Sequence, residues 1–333
     1  MERRIFGAMA LVRIFLGTGI WKPIGPHWRR TLVPYHFIGL LQKRRLASIQ
    51  ICRDFITLCT MQNDEIRIDN KLRSFRTLIR KNSKGFIAHI IDTKISRSNL
   101  SNNSSKKTEL CIFCNSSINI TKEHVIPRWA FDKSTEKYFI TDVNGMNQTY
   151  NKTTVPACAK CNNDSLSYLE SYIINLFESK DWGKSFFSNY ETQNIVRWLE
   201  IIEYKFQVLD IRKRFISSKQ NGFIPFLADF PLSILRKSKD YSPSKVISEI
   251  RFAQKRITIK SKDKNINSLV IFKTKNESFY FFHNMNEFIF LELPQYKIAL
   301  FYFYTKSFET NLSAYKEAMG IIKNIYSEND STS

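Results

Sequence analysis

Apolar residues recur three and four positions apart from Ile68 to Ile79, at Ile68, Leu72, Phe75, Leu78 and Ile79. Arg67, Lys71, Arg73, Arg76, Arg80, Lys81 and Lys84 fill the gaps and the positions beyond, and that spacing predicts an amphipathic helix with a basic face. A polar, apolar-poor stretch, Ser96–Lys107, then reads as a linker. Further on, Glu123-His-Val-Ile-Pro127 reads as a strand ending at a proline, and Lys137–Val143 as a second strand followed by an Asn144-Gly145 turn. Leu166, Leu169, Tyr172, Ile173, Leu176 and Phe177 return to helical spacing, with Asp164 or Ser165 as N-cap. Residues 185–240 continue helically through Ile195, Trp198, Leu199, Ile202, Tyr204 and Phe206. From Arg256 the pattern favours strands: Ile257–Ile259, Leu269–Phe272, Phe279–Phe282, Phe288–Leu293 and Ile298–Tyr304, with turns at Asn284–Asn286 and Pro294–Gln295. A last helix, about Glu309–Tyr326, rests on Leu312, Tyr315, Ala318, Met319, Ile322 and Ile325. No internal repeat is visible. The fold class is therefore α+β, with mainly antiparallel strands near the C-terminus.

These patterns divide the 333 residues into a basic N-terminal extension (1–60), a basic helix plus polar linker (61–107), a cysteine-bearing unit (108–180) and a helical, then α+β, accessory region (181–333). The first stretch is compositionally foreign: it holds eight Arg and two Lys, whereas the remainder holds twelve Arg and twenty-nine Lys. Ile5–Ile20 is apolar but interrupted by Arg13 and short for a membrane span. An organelle leader is an alternative reading of so Arg-rich a segment. The shift in composition favours Met61 as the true start. The aromatic residues of the C-terminal region are read as core and not as base-stacking platforms.

Charge changes this picture. The formal net charge of +21 points to a polyanionic partner, most simply nucleic acid. Lys and Arg outnumber Asp and Glu by 10 to 2 in residues 1–60 and by 9 to 4 in 61–100, but only by 9 to 8 in 101–180. The binding charge thus lies mostly outside the cysteine unit. A membrane partner and a small-molecule cofactor are not expected. With no convincing signal peptide, the chain reads as a protein of a reducing, cytoplasmic compartment, so paired cysteines read as metal ligands in preference to disulfides.

Those pairs are Cys111-x-x-Cys114 and Cys158-x-x-Cys161. Each lets two thiolates reach one ion from a tight turn, and two together complete a Cys₄ shell for structural Zn²⁺. Between them stands Glu123-His124, and Asn162 follows the last cysteine. Phosphodiester hydrolysis needs a base for water and a cation at the scissile phosphate. His124, the only histidine between residues 90 and 282, is the candidate base. Glu123 and Asn162 offer hard oxygens for Mg²⁺ or Mn²⁺. The residues alone leave two other readings open: zinc held by three cysteines and His124, and a purely structural zinc module.

Taken together, Cys111-Ile-Phe-Cys114, Thr121-Lys-Glu-His-Val-Ile-Pro-Arg-Trp129 and Val155-Pro-Ala-Cys-Ala-Lys-Cys-Asn-Asn163 resemble an HNH endonuclease of the zinc-containing ββα-metal, treble-clef type. Leu166-Ser-Tyr-Leu-Glu170 resembles the following helix of a bacterial subgroup, and the arrangement is similar to phage junction-resolving endonucleases. The likeness covers about residues 109–175. It implies an HNH domain over 108–180, with Cys111, Cys114, Cys158 and Cys161 on structural zinc. It further implies Glu123 and Asn162 on a catalytic divalent metal, His124 as general base, and hydrolysis of DNA to 5′-phosphate and 3′-hydroxyl ends. Asn162 stands where many relatives carry His. The bracing asparagine of the family has three counterparts, Asn144, Asn147 and Asn151, of which Asn144 is preferred. A one-site enzyme that cuts both strands implies a homodimer or sequential nicking. The alternative is a zinc-stabilised nucleic-acid-binding module without catalysis.

Overall fold

The computed structural model describes residues 65–92, 109–132, 138–140, 147–180, 187–214, 243–260, 266–284 and 286–330. Residues 1–60, the Ser96–Lys107 linker and Asn144 lie outside the described residues, as does the Asn144-Gly145 turn.

The helical pattern noted at Ile68–Ile79 belongs to a longer helix, α1, over residues 65–92, whose last two residues form a π turn. It extends because Phe86, Ile87 and Ile90 continue the buried stripe begun by Ile68, Leu72, Phe75 and Ile79. Gly85 interrupts the propensity but serves the packing. A Cβ there would stand 2.8 Å from Asn115 Nδ2, which donates to the Asn82 carbonyl at 2.7 Å. Asn115 itself has φ 61, the left-handed conformation that Asn tolerates better than most residues.

The cysteine unit is built on two antiparallel pairs. Strand β1 (Ile120–His124) pairs with β4 (Thr154–Cys158), placing Ile120 opposite Cys158 and Glu123 opposite Val155. A short helix, α2 (Arg128–Phe131), follows β1. Strand β2 (Tyr138–Ile140), within the predicted Lys137–Val143, pairs with β3 (Asn147–Thr149). After β4 the chain turns at once into helical conformation. Cys161–Leu166 is a π segment that runs into α3 (Ser167–Ser179). The expected N-cap at Asp164 or Ser165 is therefore corrected: both lie inside the helical run, and α3 has no side-chain cap. The turn begins earlier because Cys158 Sγ accepts the Cys161 N–H at 3.4 Å, so the thiol takes the place of a capping oxygen.

Helix α4 spans Asn189–Arg214. Every residue from Asn194 to Leu209 is buried, including Arg197, Glu200, Glu203 and Lys205. A helix enclosed on all sides has to satisfy its charges internally. Arg197 does so with Asn194 and Asp69, and Glu203 with His283, Arg256, Gln207 and the Asn286 backbone N–H.

Alongside α4 runs α5 (Pro243–Thr258). The strand expected at Ile257–Ile259 is overturned, since Ile257 and Thr258 end this helix. Ile250, Ala253 and Ile257 sit at helical spacing and bury together, and that packing outweighs a local β-branched preference. Arg80 Nη2 donates to the Thr258 carbonyl at 2.8 Å and so satisfies an end of α5 from α1.

The remaining strands are β5 (Leu269–Lys273), β6 (Tyr280–Asn284), β7 (Phe288–Leu293) and β8 (Ile298–Phe303). They form one antiparallel sheet in the order β5-β8-β7-β6, close to the predicted segments. Alternation along β7 and β8 divides their side chains. Ile289, Leu291, Leu300 and Tyr302 join the core shared with α4, α5 and the cysteine unit. Phe288, Phe290, Phe301 and Phe303 form a second core under α6 (Asn311–Asp330). These aromatic residues are core, as read from the sequence. The buried face of α6 is corrected in part: Ala314, Ala318 and Ile325 contact the sheet, whereas Leu312 is 62% exposed and Tyr315 42%. Small residues win the contact because they let the helix approach the Phe-rich sheet closely.

Candidate metal centre and carboxylate–histidine site

The first knuckle is a tight turn: the Asn115 N–H donates to the Cys111 carbonyl at 3.0 Å, and the Cys111 N–H to Ser116 at 2.8 Å. It is fastened to β4 by Ile112 N–H on the Pro156 carbonyl at 3.1 Å, and to α4 by Tyr204, whose hydroxyl donates to the Ile112 carbonyl at 2.6 Å. The second knuckle is closed by the Ala159 N–H on the Asn119 carbonyl at 2.9 Å. The strand pair thus carries one knuckle at each side of the same end.

The result brings Cys111, Cys114, Cys158 and Cys161 together, all four Sγ atoms within 4.8 Å of one another. Cys114 and Cys158 stand 3.5 Å apart, close to the edge of about 3.8 Å of a tetrahedron with Zn–S bonds near 2.3 Å. All four are free thiols, not disulfides. His124 is at the other end of β1, four residues beyond the Ile120–Cys158 pair, or about 13 Å at strand rise. The metal-compatible group among the described residues is accordingly the four cysteines.

Electrostatics agree with a cation here. A hydrogen bond from Cys161 lowers the Cys111 thiol to about 5. Burial pushes Cys114 up to about 12, and Cys161 is raised by its bond to Cys111 and by burial. The protein groups thus favour ionisation at Cys111 and oppose it at Cys114 and Cys161. A bound divalent ion would favour the ionised thiolates there, with release of their protons. The donor set fits zinc.

The second set of residues follows from strand geometry. Neighbouring side chains on β1 diverge. Glu123 turns inward and is 7% exposed, while His124 stays half-buried. Lys205, 1% exposed in mid-α4, donates to the Glu123 carboxylate and to the His124 carbonyl at 3.0 Å. Its Nζ is also 3.9 Å from Glu170 on α3. Burial raises the Glu170 carboxyl to about 7, Lys205 opposing and Glu123 reinforcing the shift. Asn162 Nδ2 approaches Thr121 Oγ1 at 3.4 Å, and Thr121 donates to the Ala157 carbonyl. Thr121 and Glu123 share a strand face, so Asn162 approaches the Glu123 side of β1. Asn147 belongs to β3 and Asn151 to the single 3₁₀ turn after it.

One Glu123 oxygen is engaged by Lys205. Sequence reading missed Lys205 and Glu170. The available signal was a lysine inside the run Tyr204-Lys-Phe-Gln-Val-Leu209, apolar but for Gln207, a position where a charge needs a buried partner.

Comparison with protein-family models, curated proteins and solved structures found no match to this chain. Among the described residues, no helix is long and apolar enough to cross a membrane.

Proposed function

We propose that this protein is a metal-dependent endonuclease that hydrolyses phosphodiester bonds, with DNA as substrate and His124 as general base. The observation that supports the reading is one strand pair tied to the four-thiol cluster at one end and carrying Glu123 and His124 at the other, with Asn162, next to Cys161, reaching Thr121 on the same strand. The cluster holds Zn²⁺ and supplies rigidity: β1 cannot shift against β4 without pulling the knuckles apart. Glu123 and Asn162 would hold Mg²⁺ or Mn²⁺, which supplies charge neutralisation at the scissile phosphate.

The side chains of this protein divide the remaining work. An imidazole with an ordinary value near 6.5 is half neutral close to physiological pH. His124 accepts a proton from water, the resulting hydroxide attacks phosphorus, and the bond to the 3′-oxygen breaks as that oxygen takes a proton from solvent. Lys205 fixes the Glu123 carboxylate and the His124 backbone together, so both catalytic positions are held from α4.

One observation favours a second reading. Glu123 already has a buried cationic partner, which suits a zinc-stabilised binding module that has no need of a second metal. Incubation of the full-length protein with supercoiled plasmid separates the two, using Mg²⁺, Mn²⁺ or no added ion, beside His124→Ala. Cleavage that requires the ion and is lost in the variant supports the nuclease. A zinc-loaded protein that binds DNA but leaves duplex, single-stranded and branched substrates intact would refute it and support the module.

A further inference from the structure

Between α1 and the helical turn after β4 lies a groove of about 650 Å³, lined by Arg67, Asn70, Lys71 and Ser74 on one wall and Lys160 and Asp164 on the other. The α1 residues recur at three and four positions and so form one stripe along the helix. Three cations face a single carboxylate, which leaves the groove with a formal surplus of two positive charges.

What distinguishes these cations is how they are held. The Arg67 guanidinium lies 5.2 Å and the Lys71 ammonium 5.0 Å from the ring centroid of Tyr168. An aromatic face attracts a cation without occupying its N–H donors. Arg67, Lys71 and Lys160 also make no ion pair with another described residue. The contrast with Arg197 and Lys205 is direct: those side chains are engaged by Asp69, Glu123 and Glu170. The groove cations are positioned and still able to donate.

Lys160 and Asp164 belong to the helical turn that carries Asn162 on its opposite side, where Asn162 reaches Thr121.

We propose that this groove is a track for the phosphate backbone of DNA, in which Arg67, Lys71 and Lys160 donate to phosphate oxygens of a strand that leads toward the Glu123–His124 site. The destination of the track rests on the nuclease reading; the track itself does not. Such contacts position a strand without reading its bases. They place part of the substrate-binding surface on α1, outside the segment that carries the knuckles.

The test is fluorescence anisotropy of a labelled DNA duplex with the full-length, zinc-loaded protein and no added Mg²⁺ or Mn²⁺, over a series of NaCl concentrations. Each phosphate contact contributes about 0.9 to the slope of log affinity against log salt. Arg67→Gln/Lys71→Gln should lower the magnitude of that slope by about 1.8, and Lys160→Gln alone by about 0.9. Lys275→Gln/Lys297→Gln, which removes the same charge from a different groove, should leave it unchanged. An unchanged slope in both the double variant and Lys160→Gln, or an equal fall in the Lys275/Lys297 control, overturns the track. Plasmid cleavage measured in parallel keeps the two readings apart. A lost slope in a protein that never cleaves retains the track and removes the nuclease, and intact cleavage with an unchanged slope does the reverse.

Discussion

Lys205 and Glu123, 82 positions apart in the chain, form a buried ion pair that joins the central helix to the strand carrying the candidate base. Lys205 reaches past the carboxylate to the His124 carbonyl as well, so a single ammonium serves both residues of the dipeptide. Removing one member of such a pair leaves an uncompensated charge in a low-dielectric interior. Lys205→Met should destabilise the protein by about 3–5 kcal/mol in urea unfolding. Lys205→Met/Glu123→Gln should recover part of that loss, because Glu123 is then no longer a stranded charge and only Glu170 loses its cation. If the single and double variants are equally unstable, the pair is not what the lysine contributes.

Zinc and catalysis should separate by mutation. Cys158→Ser opens the thiolate shell and is expected to lose zinc and the fold of the surrounding segment, since a structural zinc contributes on the order of 10 kcal/mol. His124→Ala should retain zinc stoichiometry and circular dichroism while cleavage falls by about 10²–10⁴-fold. Zinc lost from His124→Ala would return the three-cysteine-one-histidine shell.

The Glu170 carboxyl supplies a pH signature. Its value rises from 4.5 to about 7 in the folded protein, first through burial. The folded state therefore binds the proton more tightly than the unfolded state, and stability falls as pH rises between about 4.5 and 7. Above that window the contribution is constant. Glu170→Gln removes the group, so the difference in melting temperature between the variant and the parent should grow from pH 5 to pH 7 and then level off. A difference that does not change with pH would contradict the raised value.

Gly85 offers a test of how α1 meets the first knuckle. Alanine gains about 1 kcal/mol of helix propensity there but pushes against Asn115 Nδ2, which holds the Asn82 carbonyl. A lost part-buried hydrogen bond costs about 1–3 kcal/mol, so Gly85→Ala should be neutral to destabilising by about 2 kcal/mol. In an Asn115→Gly background the clash is gone and glycine keeps the positive φ, so the same change should stabilise by about 1 kcal/mol. Equal effects in both backgrounds would show that the contact does not limit this position.

Periodicity failed where burial on several sides overrode it. The Ile257-Thr258-Ile259 run reads as strand by composition, yet α5 claims Ile257 because Ile250 and Ala253 share its buried face. Leu312 matches a helical stripe and stays exposed, yet the sheet accepts Ala314, which lay outside that stripe. In both cases the deciding partner is remote in sequence, so no local window contains it.

Features that depend on spacing along the chain could be read without the fold. Two cysteine pairs, each two residues apart, can gather on one ion from tight turns, and the alternating β7 and β8 segments can bury two faces only as strands between two layers. Hence the four-thiol cluster and the antiparallel sheet were both legible. Tertiary structure alone decided the charges. Whether Lys205 meets solvent or Glu123 depends on α4 being enclosed along its whole middle, and whether Arg67 and Lys71 stay open depends on Tyr168 lying beneath them. An ammonium has the same identity in either setting, and only the dielectric and the partner around it, contributed by segments far along the chain, fix what it does.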